Sequence, residues 1–339
     1  MPFLENAIAR HREFACIDGS SVIYEEATSV TECDFAVLPY AWNSYLNHHL
    51  TKSVIEYASK LRKHNKYLIV WGTGDLETIV PIQNALYFQN GLHRLFKRVA
   101  EYAFELPAFW PDYLQIYFDG QMQIRNKKKQ ASVGFCGQGS SKSYKIVFFT
   151  LRSLYQRIQR FWGRFPYVPP QLIPSTVLRN RVLRTLASST EVDTAFIIRD
   201  RYRAGVRAKA DRDNYYHQTK VEFVNNIIDT DYTLCIRGGG NFSVRFYETL
   251  SCGRIPIFVD TDSRLPFDFL LPWKKYCLWI NMAEIRAIGS LIEEYHSSLN
   301  NTDFRNMQNQ CREVWVNWLE KDAFLEHFCE HLIYIKNQL

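Results

Sequence analysis

Two arginines and a glutamate surround a run of three glycines in the second half of this 339-residue chain. Arg237 comes directly before the glycines at 238–240, Arg245 follows them, and Glu248 comes three residues after Arg245. On a helix, Arg245 and Glu248 would therefore share nearly the same face. Guanidinium groups bind diphosphates, and a carboxylate suits a vicinal diol such as that of a ribose. The spacing indicates a site for a nucleoside diphosphate.

The elements around the glycines would present them to such a ligand. The pattern predicts a buried strand over 232–236, a helix over about 243–252, a stop at Gly253 and a second strand over 255–259. A glycine turn lets the backbone approach a ligand closely, and a helix N-terminus attracts anions. We expect phosphate to contact the backbone amides of Gly238, Gly239, Gly240 and Asn241. Ser243 is either the N-cap of the helix or a direct phosphate ligand.

Three glycines alone equally fit a flexible turn, and many unrelated nucleotide binders share this order of elements. For Arg245 and Glu248 the alternative is an ion pair on the surface of the helix, which is a common and weak interaction. Against that alternative, a solvated helix has no need of three glycines and a short apolar frame on either side.

The segment 235–268 resembles the C-terminal signature of the exostosin-type glycosyltransferases. It follows the pattern R-G-x-G-N-x-S-x-R-x-x-E-x-L-x-x-G-x-I-P-x-x-V, with Leu265-Pro266-Phe267 shortly after. The strong similarity covers about 232–280, and a looser one covers 34–75. The resemblance implies an α/β fold of GT-B architecture, in which two Rossmann-like domains with parallel sheets face each other across a cleft.

The same resemblance implies an activity and roles for individual residues. Exostosin-type enzymes transfer a sugar from a nucleotide-sugar donor, usually UDP-linked, with inversion and without a bound metal or other cofactor. Carried over position by position, Arg237 and Arg245 would bind the diphosphate or the sugar, and Glu248 the ribose. The two arginines and the helix N-terminus would then stabilise the leaving diphosphate.

The first half of the chain reads as a βαβ unit. Apolar runs at 34–40 and 67–71 predict strands, and 51–64 has helical spacing between them. One face of that helix carries Val54, Ile55, Ala58 and Leu61. The sheet should therefore be parallel, and ligands bind such sheets at the carboxyl ends of their strands. This places 39–42 and 72–77 on the rim of a cleft.

An inverting transferase needs a general base for the acceptor hydroxyl, and in a GT-B cleft that base normally comes from the first domain. Asp75, at the carboxyl end of the second predicted strand, is the first candidate, and Glu77 follows it. His48 and His49 are held in reserve. The histidine usual in this turn of the family is replaced here by the residues at 72–74, Gly-Thr-Gly. The alternative for Asp75 is a plain turn former.

A metal site is the alternative to a metal-free mechanism. Of three D-x-D triplets, only Asp260-Thr261-Asp262 follows a predicted strand, where metal-dependent transferases hold a divalent ion on the donor diphosphate. Since the glycine turn and the two arginines already provide positive potential, we expect no metal. The other two triplets are Asp211/Asp213 and Asp229/Asp231.

The best domain boundary is the charged stretch 126–130, NKKKQ. We expect an acceptor-side domain over 1–126, a nucleotide-sugar-binding domain over 131–303, and a last segment over 304–339 whose long helix, about 304–335, crosses back onto the first domain.

A helix over 146–162 is basic on one side and apolar on the other. We expect its apolar residues to pack into the core with its arginines outward: Phe149, Leu151, Leu154, Ile158 and Trp162 inside, and Arg152, Arg157 and Arg160 outside. The alternative is that this helix lies on an anionic membrane.

The composition of the chain limits the classes of molecule that it could bind. The net charge of +6, from 41 basic and 35 acidic residues, is compatible with anionic donors or a membrane surface but is too small to indicate nucleic acid. No secretory signal or membrane-spanning run is visible. We therefore expect a cytoplasmic bacterial or viral enzyme, with peripheral attachment at the inner face of a membrane as an option.

The expected partners are a nucleotide-sugar donor and a glycan or lipid-linked glycan acceptor, as in the synthesis of a polysaccharide or lipopolysaccharide. Two other functions remain open at this point. One is a nucleotide-sugar-binding protein with weak or no turnover, and the other is a metal-dependent transferase that uses Asp260 and Asp262.

Overall fold

A computed structural model of the chain describes residues 27, 29–94, 102–139, 143–168, 171–199 and 212–338. Its first sheet has four parallel strands in chain order. They are β1 (Phe35–Val37), β2 (Tyr67–Trp71), β3 (Ala85–Gln89) and β4 (Tyr102–Glu105). The helices α1 (Trp42–Asn47) and α2 (Thr51–Lys63) pack beside this sheet. The short helix α3 (Tyr113–Tyr117) packs instead against the second half of the chain, where Val224 and Ile227 contact it.

The predicted βαβ unit is confirmed, with one strand shorter than expected. α2 buries Val54, Ala58 and Leu61 against the sheet, and β2 has the predicted limits. β1 ends at Val37. The Val37 side chain is 47% exposed because β1 is an edge strand that pairs only with β2. The strands β3 and β4 were not predicted.

The second sheet has five parallel strands in the order β6-β5-β7-β8-β9. They are β5 (Ser132–Gln138), β6 (Asp193–Arg199), β7 (Tyr232–Cys235), β8 (Ile255–Asp260) and β9 (Leu278–Asn281). The helices of this half are α4 (Ser143–Phe161), α5 (Ser175–Ala187), α6 (Arg212–Ile228), α7 (Val244–Ser251), α8 (Ile288–Ser298), α9 (Asn301–Val314) and α10 (Lys321–Gln338). The predicted fold class, α/β with two parallel sheets, is confirmed and is consistent with two Rossmann-like units.

The unit β7–α7–β8 follows the sequence prediction closely. Every residue of β7 and β8 is buried, as expected for short apolar runs in a parallel sheet. Gly253 ends α7 with φ = 61°, a left-handed conformation that favours glycine. The strand β8 begins two residues after Gly253. The glycine turn at 238–240 follows β7 and therefore lies at the carboxyl end of that strand.

The single long helix expected at 304–335 is wrong. The segment divides into α9, a π-helical turn (Trp315–Leu319) and α10. The carboxylate of Glu320 accepts from the amide of Asp322 at 2.8 Å, so a new helix starts there. α10 packs on the first sheet, since the Phe328 ring lies 4.8 Å from that of Phe88 and 5.4 Å from that of Trp71.

The expected orientation of α4 is also wrong. Its apolar residues face solvent, and Leu151, for example, is 61% exposed. Ser153 and Gln156, on the opposite side, are the residues that α4 buries. The amphipathic pattern is therefore real, but the polar side faces the rest of the protein. Within the described ranges, no helix is both long enough and apolar enough to cross a bilayer.

Candidate active site

The glycine turn lies between β7 and α7, where it was predicted. The amide of Gly238 donates to the carbonyl of Phe242 at 2.8 Å and closes the turn. The Gly238 amide, for which the sequence suggested a phosphate contact, is therefore already bonded within the turn. Among the described residues, no carbonyl accepts from the amides of Gly239, Gly240 or Asn241. Phosphate contact by those three amides stays a prediction.

Arg237 is buried beside this turn, with a relative exposure of 5%. It donates to the carbonyl of Ile173, and its Nε has no hydrogen-bond partner. No carboxylate in the described part of the chain pairs with it. Burial lowers its pKa to about 10. A buried guanidinium without a counter-charge is costly, so the site favours an anion.

Arg245 extends from α7 to the same edge of the sheet. It donates to the carbonyl of Cys136 at 2.7 Å and stacks over the ring of Phe135, 4.2 Å from its centroid. Its Nε is also without a partner, and burial lowers its pKa. The ion pair with Glu248 that was the sequence alternative does not form. Arg245, which is half-buried, therefore adds a second positive charge at this edge of the sheet.

A third arginine, which no sequence pattern indicated, connects the chain segments at the ends of β5 and β7. Arg179, on α5, donates to the carbonyl of Arg237 at 2.8 Å and to that of Gln138 at 3.4 Å. It thereby connects the end of β5 with the end of β7. No local pattern could have singled it out, because only the order of strands in the sheet brings α5 to this edge.

Glu248 is held by groups from two other helices. Its carboxylate accepts from the Tyr113 hydroxyl at 2.7 Å and lies 3.8 Å from Nζ of Lys220. Burial raises the pKa of Glu248, against the opposing effects of Lys220, Tyr113 and Arg245. A ribose that bound Glu248 would have to replace the Tyr113 hydroxyl.

Asp75, from the loop after β2, lies directly on the glycine turn. A Cβ atom built on Gly239 would overlap Oδ2 of Asp75 and lie 3.0 Å from its Cγ. A Cβ atom on Gly240 would lie 2.7 Å from the backbone oxygen of Asp75. The two regions that the sequence singled out in separate halves therefore meet, and the glycines allow the contact.

Glu77 is buried and holds a histidine that the sequence analysis overlooked. Oε2 of Glu77 lies 2.8 Å from Nδ1 of His93, and its Oε1 accepts from the His93 amide at 3.1 Å. With Nδ1 engaged by the carboxylate, Nε2 of His93 is the nitrogen left for a proton transfer. A histidine oriented by a carboxylate is a common general-base arrangement.

The loop that carries His93 is fixed by a second buried carboxylate. Glu105, at the end of β4, accepts from the amides of Gly91 at 2.5 Å and Leu92 at 2.7 Å. Burial raises the pKa of Glu105 well above its usual value. A Cβ atom on Gly91 would lie 3.1 Å from the Asn241 nitrogen, so this loop also touches the glycine turn.

The D-x-D triplet has a structural role. Oδ1 of Asp260 accepts from the amides of Asp262 at 2.9 Å and Ser263 at 3.3 Å, and its other oxygen binds Arg94 of the first half. Arg94 also lies 3.8 Å from Asp262. Over the described ranges, no cluster of three or more His, Cys, Asp or Glu side chains has the placement of a metal site.

Other predicted residues have more limited contacts. Ser243 is the N-cap residue of α7 by position, but its side chain makes no capping bond. The Asn241 side chain bonds Gln171 at 3.0 Å and Thr261 at 2.9 Å. His48 and His49 are exposed between α1 and α2, and no described hydrogen bond connects their side chains to this site. A surface hollow of about 710 Å³ lies elsewhere, between β6 and α6.

Comparisons with known proteins give loose similarities. No protein-family model matches the sequence, and no curated protein matches it. An S. aureus TarM mutant in complex with fondaparinux, alpha-GlcNAc-glycerol and UDP superposes with a TM-score of 0.38 at 8% identity, over 81% of this chain and 53% of TarM. A glycosyltransferase from Rickettsia africae gives 0.36 at 10% identity, over 85% of this chain and 82% of the other.

The pneumococcal O-GlcNAc transferase GtfA, in complex with UDP and GlcNAc, gives a TM-score of 0.36 at 9% identity, over 88% of this chain and 56% of GtfA. The chain thus spans just over half the length of TarM and GtfA. All three similar structures are glycosyltransferases. With TM-scores below 0.5, they transfer no residue role to this chain, and membership of the exostosin family stays a prediction.

Proposed function

We propose that this chain is an inverting glycosyltransferase that moves a sugar from a UDP-linked donor to a hydroxyl group of a glycan acceptor. One observation supports this above all others. Among the described residues, no carboxylate pairs with the guanidiniums of Arg237, which is buried, and Arg245, which is half-buried with a buried Nε. Both lie beside a glycine turn at the carboxyl edge of a parallel sheet. A diphosphate would supply the missing negative charge.

In this proposal the second half of the chain binds the donor. Arg237 and Arg245 contact the diphosphate, together with the amides of Gly239, Gly240 and Asn241. Ser243, whose hydroxyl does not cap α7, contacts a phosphate oxygen. Glu248 binds the ribose after the Tyr113 hydroxyl moves away.

The first half supplies the base. The acceptor oxygen attacks the anomeric carbon, the bond from that carbon to the diphosphate oxygen breaks, and the acceptor proton passes to Nε2 of His93. Glu77 stabilises the resulting imidazolium through Nδ1. The nucleoside diphosphate leaves with its added charge neutralised by the arginines, so that no metal is needed. Asp75, the first candidate from the sequence, packs against Gly239 and is the alternative base.

Calorimetric titration of UDP tests the binding step. We expect Arg237→Met and Arg245→Met to weaken UDP binding by about two orders of magnitude, since each removes a charge-assisted contact. Arg286→Met is the matched control, because Arg286 is exposed on a distant 3₁₀ turn. Thermal unfolding of each variant establishes that it is folded. Equal affinity in all four proteins, or no uptake of UDP at millimolar concentration, would refute the proposed site.

Release of UDP from a nucleotide-sugar without acceptor tests turnover. A competent site hydrolyses its donor slowly, and a screen of UDP-sugars by thermal shift identifies which donor to use. UDP binding without any release, with or without glycan acceptors, would favour the alternative of a binding protein that lacks turnover.

A further inference from the structure

The exposed side of α4 is a continuous apolar surface. Its residues recur every three or four positions, so they share one side of the helix, and they are 44–64% exposed. This apolar face consists of Val147, Leu151, Leu154, Ile158 and Trp162. Aromatic side chains extend it on both edges, namely Phe148, Tyr155 and Phe161. Contiguous apolar surface of this kind marks an interaction site.

The helix is held in this orientation by its polar side. Ser153 and Gln156 are buried there, and Arg160 donates to the carbonyl of Tyr167 at 3.1 Å. Tyr167 forms a bridge with Thr78 of the first half, and the Val168 amide donates to the carbonyl of Glu77 at 2.7 Å. Rotation that would bury the apolar face would break these contacts.

The segment of the sequence that contains α4 carries only basic charged residues. Residues 120–190 hold 13 of the 41 basic residues of the chain and none of its 35 acidic residues. On and beside the helix, Arg152, Arg157 and Arg164 are exposed. The Arg164 guanidinium lies 5.6 Å from the ring centroid of Trp162. Basic groups thus border the apolar face, which is the composition of a helix that lies in a membrane interface.

We propose that the apolar face of α4 docks on an anionic lipid bilayer. A bilayer offers acyl chains to the apolar residues and negative headgroups to the arginines, so both parts of the surface are satisfied together. A second copy of this chain fits less well, because two such faces would bring their arginines together. The bridge from Tyr167 to Thr78 then places the loop with Asp75 and Glu77 close to the bilayer.

Vesicle flotation of the full chain tests this docking. The probes are vesicles of phosphatidylcholine alone and vesicles that also contain phosphatidylglycerol. We expect binding to the anionic vesicles only, and a decrease of that binding in high salt. Leu151→Glu/Ile158→Glu should weaken it by about tenfold or more. Arg152→Glu/Arg164→Glu should do the same through charge.

Two matched controls and two further measurements make the result decisive. Ile116→Glu and Leu270→Glu replace equally exposed apolar residues elsewhere and should bind as the unmodified protein does. Thermal unfolding verifies the fold of every variant, and the single change Leu151→Ser replaces the double variant if that fails to fold. Equal binding by all variants, or none to anionic vesicles at low salt, would overturn the proposal. A dimer in light scattering that Leu151→Glu/Ile158→Glu dissociates, without vesicle binding, would assign this face to self-association instead.

Discussion

The Asp75 carboxylate lies against Gly239 so closely that a methyl group on Gly239 would be 3.0 Å from Cγ of Asp75. The contact joins the first sheet's β2 loop to the second sheet's β7 loop. The three glycines differ in the space that an added methyl group would have. At Gly238, the nearest atom to an added Cβ is the Phe242 oxygen at 3.7 Å, which is an ordinary contact.

The first prediction concerns these three glycines. Gly239→Ala should lower the free energy of unfolding by about 1–3 kcal/mol, because the methyl group meets Asp75. The added change Asp75→Ala should restore most of that loss. Gly240→Ala should be as damaging but should not be restored by Asp75→Ala, since it meets the backbone oxygen of Asp75.

Urea unfolding of the single and double variants measures these effects, with Gly238→Ala as the control that should stay within about 1 kcal/mol of the unmodified protein. If Gly239→Ala is tolerated without Asp75→Ala, the two loops do not touch in solution.

The second prediction concerns the proposed base. His93→Gln should reduce kcat by a factor of about 10²–10⁴ with KM for the donor unchanged, because proton transfer is lost and donor contacts are kept. Glu77→Gln should reduce kcat less and should shift the pH profile of kcat, since the imidazolium loses its partner.

Asp75→Asn is the comparison for this prediction, and it should keep most of the activity. Loss of turnover in Asp75→Asn with near-normal turnover in His93→Gln would return the role of base to Asp75. Steady-state kinetics with the donor identified by thermal shift decides between the two.

The third prediction concerns the D-x-D triplet. Asp260→Asn should lower the free energy of unfolding by about 1.5–3 kcal/mol, because the charged acceptor for Arg94 and two amides is lost. Chelation of divalent ions by EDTA should leave glycosyl transfer unchanged. Asp262→Asn should be tolerated, since φ at this position is 68° and asparagine adopts that conformation readily. Activity that EDTA abolishes and Mg²⁺ or Mn²⁺ restores would favour the metal-dependent alternative.

The fourth prediction concerns His331, which α10 buries among aromatic rings. Burial lowers the pKa of His331 from 6.5 to about 4. The folded state thus prefers the neutral ring, so its contribution is fully present above pH 6.5 and is lost as the pH falls through about 4. That loss corresponds to about 3 kcal/mol.

Unfolding by urea at several pH values checks this, and His331→Phe should remove that part of the pH dependence. His48→Gln, at an exposed histidine, should leave the dependence as it is. If His331→Phe changes nothing between pH 7 and pH 4, the His331 ring is accessible to protons in the folded protein.

Local signals in the sequence were sufficient for the elements around the glycine turn. The apolar run at 232–236, the three glycines and Gly253 each constrain the backbone through nearby residues, and β7, α7 and β8 followed the prediction. The parallel pairing of β1 with β2 was also predictable, because a helix separates these two strands.

Contacts between distant residues could not be predicted in the same way. His93 follows β3, a strand without a clear pattern of its own, and it meets Glu77 only because β2 and β3 are neighbours in the sheet. Arg179 reaches the glycine turn for a similar reason. For α4, the sequence indicates an amphipathic helix but contains no information on which side the rest of the protein covers.

The return of α10 to the first sheet has a consequence for the order of folding during synthesis. Phe328 and His331 complete the packing around Phe88 on β3 and Phe104 on β4. These two strands leave the ribosome more than two hundred residues before α10. Part of the apolar surface of the first sheet therefore stays uncovered until α10 has been synthesised. A nascent chain stalled before that point should be bound by chaperones and cut readily by proteases.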